Sequence, residues 1–192
     1  MKNVLIILGH PNEDSHAEMI RAQYKDGAEK AGAIVKEIII RDLDFDPLLL
    51  KGYSRSAKME EDIMHSTDLI TWADHLVFIY PNWWGTYPAL FKAFLDKVLW
   101  PGFAFNFKKG YMKWEKLLTG RTARIFVTMA NPVWHYHLIT KSPGHKAMRY
   151  STLHYCGIRP VRFTTFGMTN KVSDQKLKLW LKKVYRLGKK LR

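Results

Sequence analysis

The sequence predicts an α/β protein built on an open, doubly wound parallel sheet, and three observations carry that prediction. Five short, branched apolar runs recur along the chain at strand length, separated by stretches whose apolar residues fall at helical spacing. The first run, Asn3 to Leu8, is apolar at every position after Asn3, as a strand covered on both faces must be. The spacing between runs admits a helix each time, and strand-helix-strand crossovers join parallel neighbours.

Taken in order, Asn3 to Leu8 ends at Gly9, and Ser15 offers an N-cap hydroxyl to a helix over His16 to Lys30 that stops near Gly32. Ile34 to Ile40 is the second strand, ended by the turn formers and proline of Arg41 to Pro47. Leu48 to Arg55 is irregular, and Ala57 to Trp72 reads as a helix with Met59, Ile63, Leu69 and Ile70 on its apolar side. Leu76 to Tyr80 is the third strand, followed by a loop rich in aromatics and then a strongly apolar helix, Ala89 to Leu99, with Pro88 suited to its first turn. Phe103, Phe105 and Phe107 alternate in a connecting segment. Thr122 to Met129 is the fourth strand, His145 to Tyr155 a helix stopped by Gly157, and Pro160 to Gly167 the fifth strand. Ser173 caps a last helix from Asp174 to about Leu187. No internal repeat or linker divides the chain, so one domain over residues 1–192 is expected.

Composition narrows the setting. With 192 residues and 47% hydrophobic content the chain can bury a core without disulfides, and Cys156 is its single cysteine. The start has no signal-peptide layout and no apolar run approaches the roughly 18 residues a bilayer span needs, so a cytoplasmic protein without a transmembrane segment is expected. The net charge is +14, concentrated toward the end in Lys171, Lys176, Lys178, Lys182, Lys183, Arg186, Lys189, Lys190 and Arg192. A solvated helix face accounts for that cluster better than a nucleic-acid site, since no recognition motif accompanies it and no specific nucleic acid is expected.

Ligands of doubly wound sheets bind beyond the carboxyl ends of the strands, where the winding reverses. Three loops meet there: Gly9 to Ser15, Pro81 to Tyr87, and Ala130 to Gly144, the longest non-periodic piece. The first opens a helix whose free N–H groups form a phosphate seat, to which Ser15 adds a hydroxyl and His10 or His16 an imidazole. It matches neither glycine-rich dinucleotide pattern nor the P-loop, and Glu13 and Asp14 would repel an anion unless they turn away. Trp83 and Trp84 beside Gly85 offer a flat apolar wall with approachable backbone, which a flavin, an adenine or a quinone could use. Dimer packing by the same indoles is compatible with each.

Gly9-His10-Pro11-Asn12 through Ser15-His16-Ala17, with Tyr80-Pro81-Asn82-Trp83-Trp84-Gly85 and Pro88-Ala89-Leu90-Phe91-Lys92, resembles the NAD(P)H:quinone oxidoreductase family of flavodoxin-like proteins. The likeness spans nearly the whole chain, since Leu95 to Trp100 and His154-Tyr155-Cys156-Gly157 also fit. It implies a flavodoxin-like five-stranded parallel sheet of order 2-1-3-4-5 with helices on both faces, and a bound FMN, with FAD as the alternative. By resemblance, His10, Ser15, His16 and the Ala17 backbone hold the flavin phosphate, and Pro81, Asn82, Trp83, Trp84 and Gly85 line its ring. Relatives often carry asparagine where Ala17 stands, which removes one side-chain donor.

The family's glycine-rich fourth loop is replaced here by Met129, Ala130, Asn131 and Pro132 after Thr128, so Thr128 and Asn131 are the expected ring contacts and acceptor specificity does not carry over. Trp134, His135, Tyr136 and His137 are the candidate catalytic residues, placed to stabilise charge or give a proton to an acceptor. The resemblance further implies NAD(P)H as electron donor, a quinone or other small-molecule acceptor, a ping-pong order and a homodimer. The alternative is a flavin-binding regulatory or accessory subunit that acts through a protein partner. His135 and His137 could share one side of an extended segment, but no neighbouring cysteine or carboxylate completes a metal set, and no metal is expected.

Overall fold

The computed structural model describes residues 1–50, 52–53, 59–107 and 114–191. Strand β1 (Asn3–Leu8) leads through α1 (His16–Lys30) to β2 (Ile34–Ile39) and a 3-10 turn at Ile40–Asp42. Helix α2 (Glu61–Trp72), β3 (His75–Pro81) and α3 (Ala89–Val98) follow, then two short strands, β4 (Phe105–Phe107) and β5 (Trp114–Lys116). Next come β6 (Thr122–Thr128), α4 (Val133–Leu138), α5 (Pro143–Lys146), a π-helical stretch at Ala147–Leu153 and α6 (His154–Cys156). Strand β7 (Val161–Phe166), a 3-10 turn at Thr169–Lys171 and α7 (Asp174–Lys189) complete the chain.

The main sheet runs β2-β1-β3-β6-β7 with every neighbouring pair parallel, so the expected order holds with β6 and β7 in the fourth and fifth places. Period-two alternation sends Val4, Ile6 and Leu8 into one core layer with Ala17, Ile20 and Tyr24 of α1 and Val184 of α7. Leu5 and Ile7 enter the opposite layer with Ile63 of α2 and Phe91 and Phe94 of α3. Helices on both faces explain why β1 reads as an unbroken apolar run.

Three local expectations are corrected. Helix α2 begins at Glu61 rather than Ala57, because Glu60 is extended and its carboxylate is held by Lys97 Nζ at 2.7 Å and by the Asp46 N–H at 3.3 Å. The first two positions of the expected helix, Ala57 and Lys58, lie outside the described residues, as do Lys51, Ser54 and Arg55 of the segment read as irregular. Two of the three alternating phenylalanines, Phe105 and Phe107, belong to a strand rather than a plain connection, since Phe105–Phe107 pairs antiparallel with Trp114–Lys116, while Phe103 stays in the turn before it. Within Ala130 to Gly144, the six residues of α4 are helical, too few for a 3.6-residue period to show in the sequence.

His75 opens β3 in a buried position, with Nδ1 2.6 Å from Thr122 Oγ1 and its ring stacked near Tyr24. Burial above all, with the Lys2 and Arg124 charges adding, pushes its pKa down from 6.5 to about 3. Below pH 6.5 the unfolded chain therefore binds a proton that the native one refuses, and stability falls as pH drops through that window and is level above it. The full loss, reached only below about pH 3, is on the order of 5 kcal/mol. His75→Gln should flatten the fall of the urea midpoint between neutral pH and acid; an unchanged slope would assign the acid sensitivity to other groups.

Candidate functional site

The carboxyl ends of the parallel strands meet at one edge of the sheet and enclose a bay of about 270 Å³. His10, Asp14, Ser15 and His16 line it from the loop after β1, and Pro81, Asn82 and Trp83 from the end of β3. Thr128, Met129 and Ala130 close it from β6, Thr169 and Asn170 from the turn after β7. The two segments singled out in the sequence are in contact: the His10 and Trp83 rings meet edge to face, 6.2 Å between centroids. Gly9 is required at this junction, because a Cβ there would run into the buried Phe91 ring.

Ser15 is extended and its Oγ accepts the Glu18 N–H at 3.4 Å, which leaves the first N–H groups of α1 directed at the bay. Ala17 is not part of the lining, and its methyl is in the core. His10 Nδ1 faces both the Asn12 N–H at 3.0 Å and the Asn12 carbonyl oxygen at 3.1 Å, so either neutral tautomer finds a partner within its own loop. Burial lowers the His10 pKa against the opposing contact with the Asn12 carbonyl, and the Arg41 charge adds to the lowering, which favours the neutral ring.

Arg41 also resolves half of the acidic difficulty. Its guanidinium lies 2.8 Å from Glu18 and 3.6 Å from Glu13, so Glu13 is drawn away from the bay. Asp14 stays on the lining. Asp14→Asn should therefore tighten the binding of an anion such as inorganic phosphate by roughly two- to fivefold, the modest gain expected of a solvent-screened charge. Calorimetric titration of both proteins checks this, and equal affinities would mean that the carboxylate does not face the anion.

At the third loop, the Asn82 N–H donates to Thr128 O at 2.7 Å and ties β3 to β6 beyond the sheet proper. Asn82 Oδ1 is buried with no hydrogen-bond partner among the described residues. The chain then reverses at Trp83–Thr86, where the Thr86 N–H donates to Trp83 O at 3.0 Å and both central residues are left-handed, Trp84 at φ 51° and Gly85 at φ 80°. That is the pattern of a type I′ turn, which glycine accepts freely and a tryptophan only at a cost of about 1 kcal/mol. The strained residue is fully solvent-exposed, and Trp83 is about half so.

The turn is braced from α4. Tyr136 is buried, and its Oη donates to Gly85 O at 3.0 Å while accepting the Gly144 N–H at 3.0 Å and the His145 N–H at 3.3 Å. Its phenol is thus occupied, and burial raises its pKa. His135 packs against the exposed Trp134, 5.8 Å between rings, whereas His137 Nδ1 lies 2.7 Å from Ser142 Oγ. On a helix, residues two apart point to opposite sides, so the shared extended face on which a two-imidazole site would depend is absent. His137, His145 and Arg149 line a separate recess of about 560 Å³ beside β7. The structure thus gathers His10, Ser15, His16, Pro81, Asn82, Trp83 and Thr128 in one bay, with Trp84, Gly85 and Asn131 adjoining it in sequence, and leaves the α4 residues outside its lining.

A family model for the flavodoxin-like fold matches residues 2–188. The chain belongs to this family. An uncharacterized NAD(P)H oxidoreductase of Haemophilus influenzae is 31% identical over 179 residues, covering 90% of this chain and 87% of the relative. The solved NAD(P)H:quinone oxidoreductase from Methanothermobacter marburgensis is similar in fold, with a TM-score of 0.82 over 100% of this chain and 96% of its own at 22% identity. An FMN-dependent NADH-azoreductase from Bacillus anthracis, solved in complex with FMN, gives a TM-score of 0.78 over 100% and 99% of the two chains at 16% identity.

In a flavodoxin-like sheet every parallel strand ends at the same edge, and this exposes what the sequence reading missed. Thr169 and Asn170 follow β7 and reach the bay. The signal was available, because the fifth strand also had to end at the same edge of the sheet as the first, but a three-residue turn carries no motif of its own.

Proposed function

We propose that this chain is a flavin-dependent NAD(P)H oxidoreductase that holds FMN in the bay and reduces quinones or related acceptors. The observation that carries the reading is the convergence, in one bay, of a helix opening suited to phosphate and an indole wall suited to a flat ring. A volume of about 270 Å³ suits the phosphate and sugar-alcohol chain. Trp83, Trp84 and Gly85 at the open rim would hold the ring. The unpartnered Asn82 Oδ1 supplies an acceptor where a ring-edge N–H would satisfy it. This compact lining favours FMN over FAD, which needs further room for adenine.

When bound, FMN supplies the two-electron chemistry, accepting hydride from NAD(P)H and passing it to the acceptor in ping-pong order. His10, with its proton on Nε2, would donate toward the anionic end, Ser15 and the backbone at His16 and Ala17 would orient it, and Thr128 and Asn131 would border the ring. Tyr136 positions Gly85 and His137 faces the separate recess, which leaves Trp134 and His135 as the side chains to meet the acceptor. Residues 1–192 act as one domain in the cytoplasm. A homodimer is supported by the exposed Trp84 and Trp134 and by a groove of about 460 Å³ between α3 and the π-helical stretch.

The deciding experiment supplies the purified chain with FMN and FAD, identifies the retained flavin by mass, and reduces it anaerobically with NADH and NADPH. Uptake of FMN, bleaching by a nicotinamide and recovery of the oxidised spectrum on adding menadione are expected. Retention of neither flavin would overturn the reading.

A further inference from the structure

Helix α7 buries its apolar side in the protein, where Val184 is fully enclosed and Trp180 packs on Phe166 with 4.9 Å between rings. The opposite side is different in kind. At about 100° per residue, Lys176, Lys182, Lys183, Arg186 and Lys190 all fall within about 60° of Leu179. All five cations are exposed, and Leu179 at their centre is 62% exposed.

Among the described residues of the helix no carboxylate lies on that arc. Asp174 sits on the far side of the helix, and Asp26 of α1 borders only the edge, sharing a shallow groove with Lys178 and Lys182. Elsewhere several cations are paired, Arg21 and Lys25 with Glu37, Arg41 with Glu18, Lys92 with Asp96 and Lys97 with Glu60, and those without an ion pair are not gathered on one helix face as these are. Among the described residues none of the five on the α7 arc makes an ion pair.

Five like charges on one face repel each other, and a leucine in their midst is exposed to water. An anionic bilayer relieves both, because its headgroups neutralise the lysines and its acyl boundary accepts the leucine. A nucleic-acid backbone would take the charges and leave the leucine wet. We propose that this face of α7 docks the protein peripherally on an anionic lipid surface. Since the apolar side of the helix is committed to the core, attachment is electrostatic and reversible, with one aliphatic side chain dipping in. The inference is independent of the redox reading.

The test is co-sedimentation of the full chain with phosphatidylcholine vesicles, with and without about 30% phosphatidylglycerol. Binding at least tenfold stronger to the anionic vesicles, and falling steeply as salt shortens the Debye length, is expected. Lys182→Glu combined with Arg186→Glu should lower it more than tenfold. Leu179→Ala, which leaves the charge unchanged, should lower vesicle binding about threefold and leave duplex DNA binding unaltered. All substitutions are at exposed positions, and a melting curve verifies that each variant is folded. Absence of anionic-vesicle binding, indifference to Leu179→Ala, or tighter binding to duplex DNA than to the vesicles would each overturn the proposal.

Discussion

Trp83→Ala lowers FMN affinity tenfold or more and barely moves the melting temperature of the flavin-free chain. The two expectations have different physical sources. About half of the indole is already in water, so removing it forfeits little folding free energy. In the proposed complex the same ring is the flat wall on which the cofactor lies, and aromatic stacking of this kind contributes roughly 1 to 3 kcal/mol. It also supports His10 edge to face, so its loss loosens the imidazole at the phosphate end as well. Fluorescence titration with FMN, beside thermal melts without it, separates the two effects, and Trp83→Phe should recover part of the affinity. Full affinity in the alanine variant would reduce this indole to a cover for His10.

Gly188→Val should lower the melting temperature by about 10 °C, the largest stability effect expected of a single methyl-bearing change on the helical layer. Helices α1 and α7 cross at two glycines: a Cβ on Gly188 would strike Tyr24 O, and one on Gly27 would strike Tyr185 O. Both obstacles are main-chain atoms, which cannot rotate aside. Replacing a helical glycine ordinarily gains about 1 kcal/mol of propensity, less for a β-branched residue. Against that, forcing the helices apart opens the layer of Tyr24, Ala28 and Val184 and costs about 3 kcal/mol or more. The clash therefore wins. A differential scan of the flavin-free variant checks this, and an unchanged midpoint would show that the two helices can separate freely.

The fold was readable because its signals are local and repeated. Unbroken apolar runs at Asn3–Leu8 and His75–Pro81 require cover on both faces, and the capping serines at positions 15 and 173 begin their helices where the hydroxyls predict. Two of the three loops were legible for the same reason, since each bears a glycine or a tryptophan pair with a geometric consequence. Harder to read were features set by distant partners. Glu60 delays α2 because Lys97 of α3 holds its side chain, and Tyr136 is directed inward by Gly85, 51 residues earlier. Neither constraint leaves a periodic trace. The contribution of Thr169 and Asn170 likewise arises from where strands end in space.

Tyr136 spans two stretches of chain that are otherwise far apart, fastening the Gly85 carbonyl to the amides of Gly144 and His145. The Gly144 N–H reaches Gly85 O as well, at 3.0 Å, so the join is double. The tryptophan turn and the bank that carries His145 are thus seated on the same phenol. The mouth of the sheet and the basic recess behind it share one brace, so a substitution at position 136 would strip a support from each.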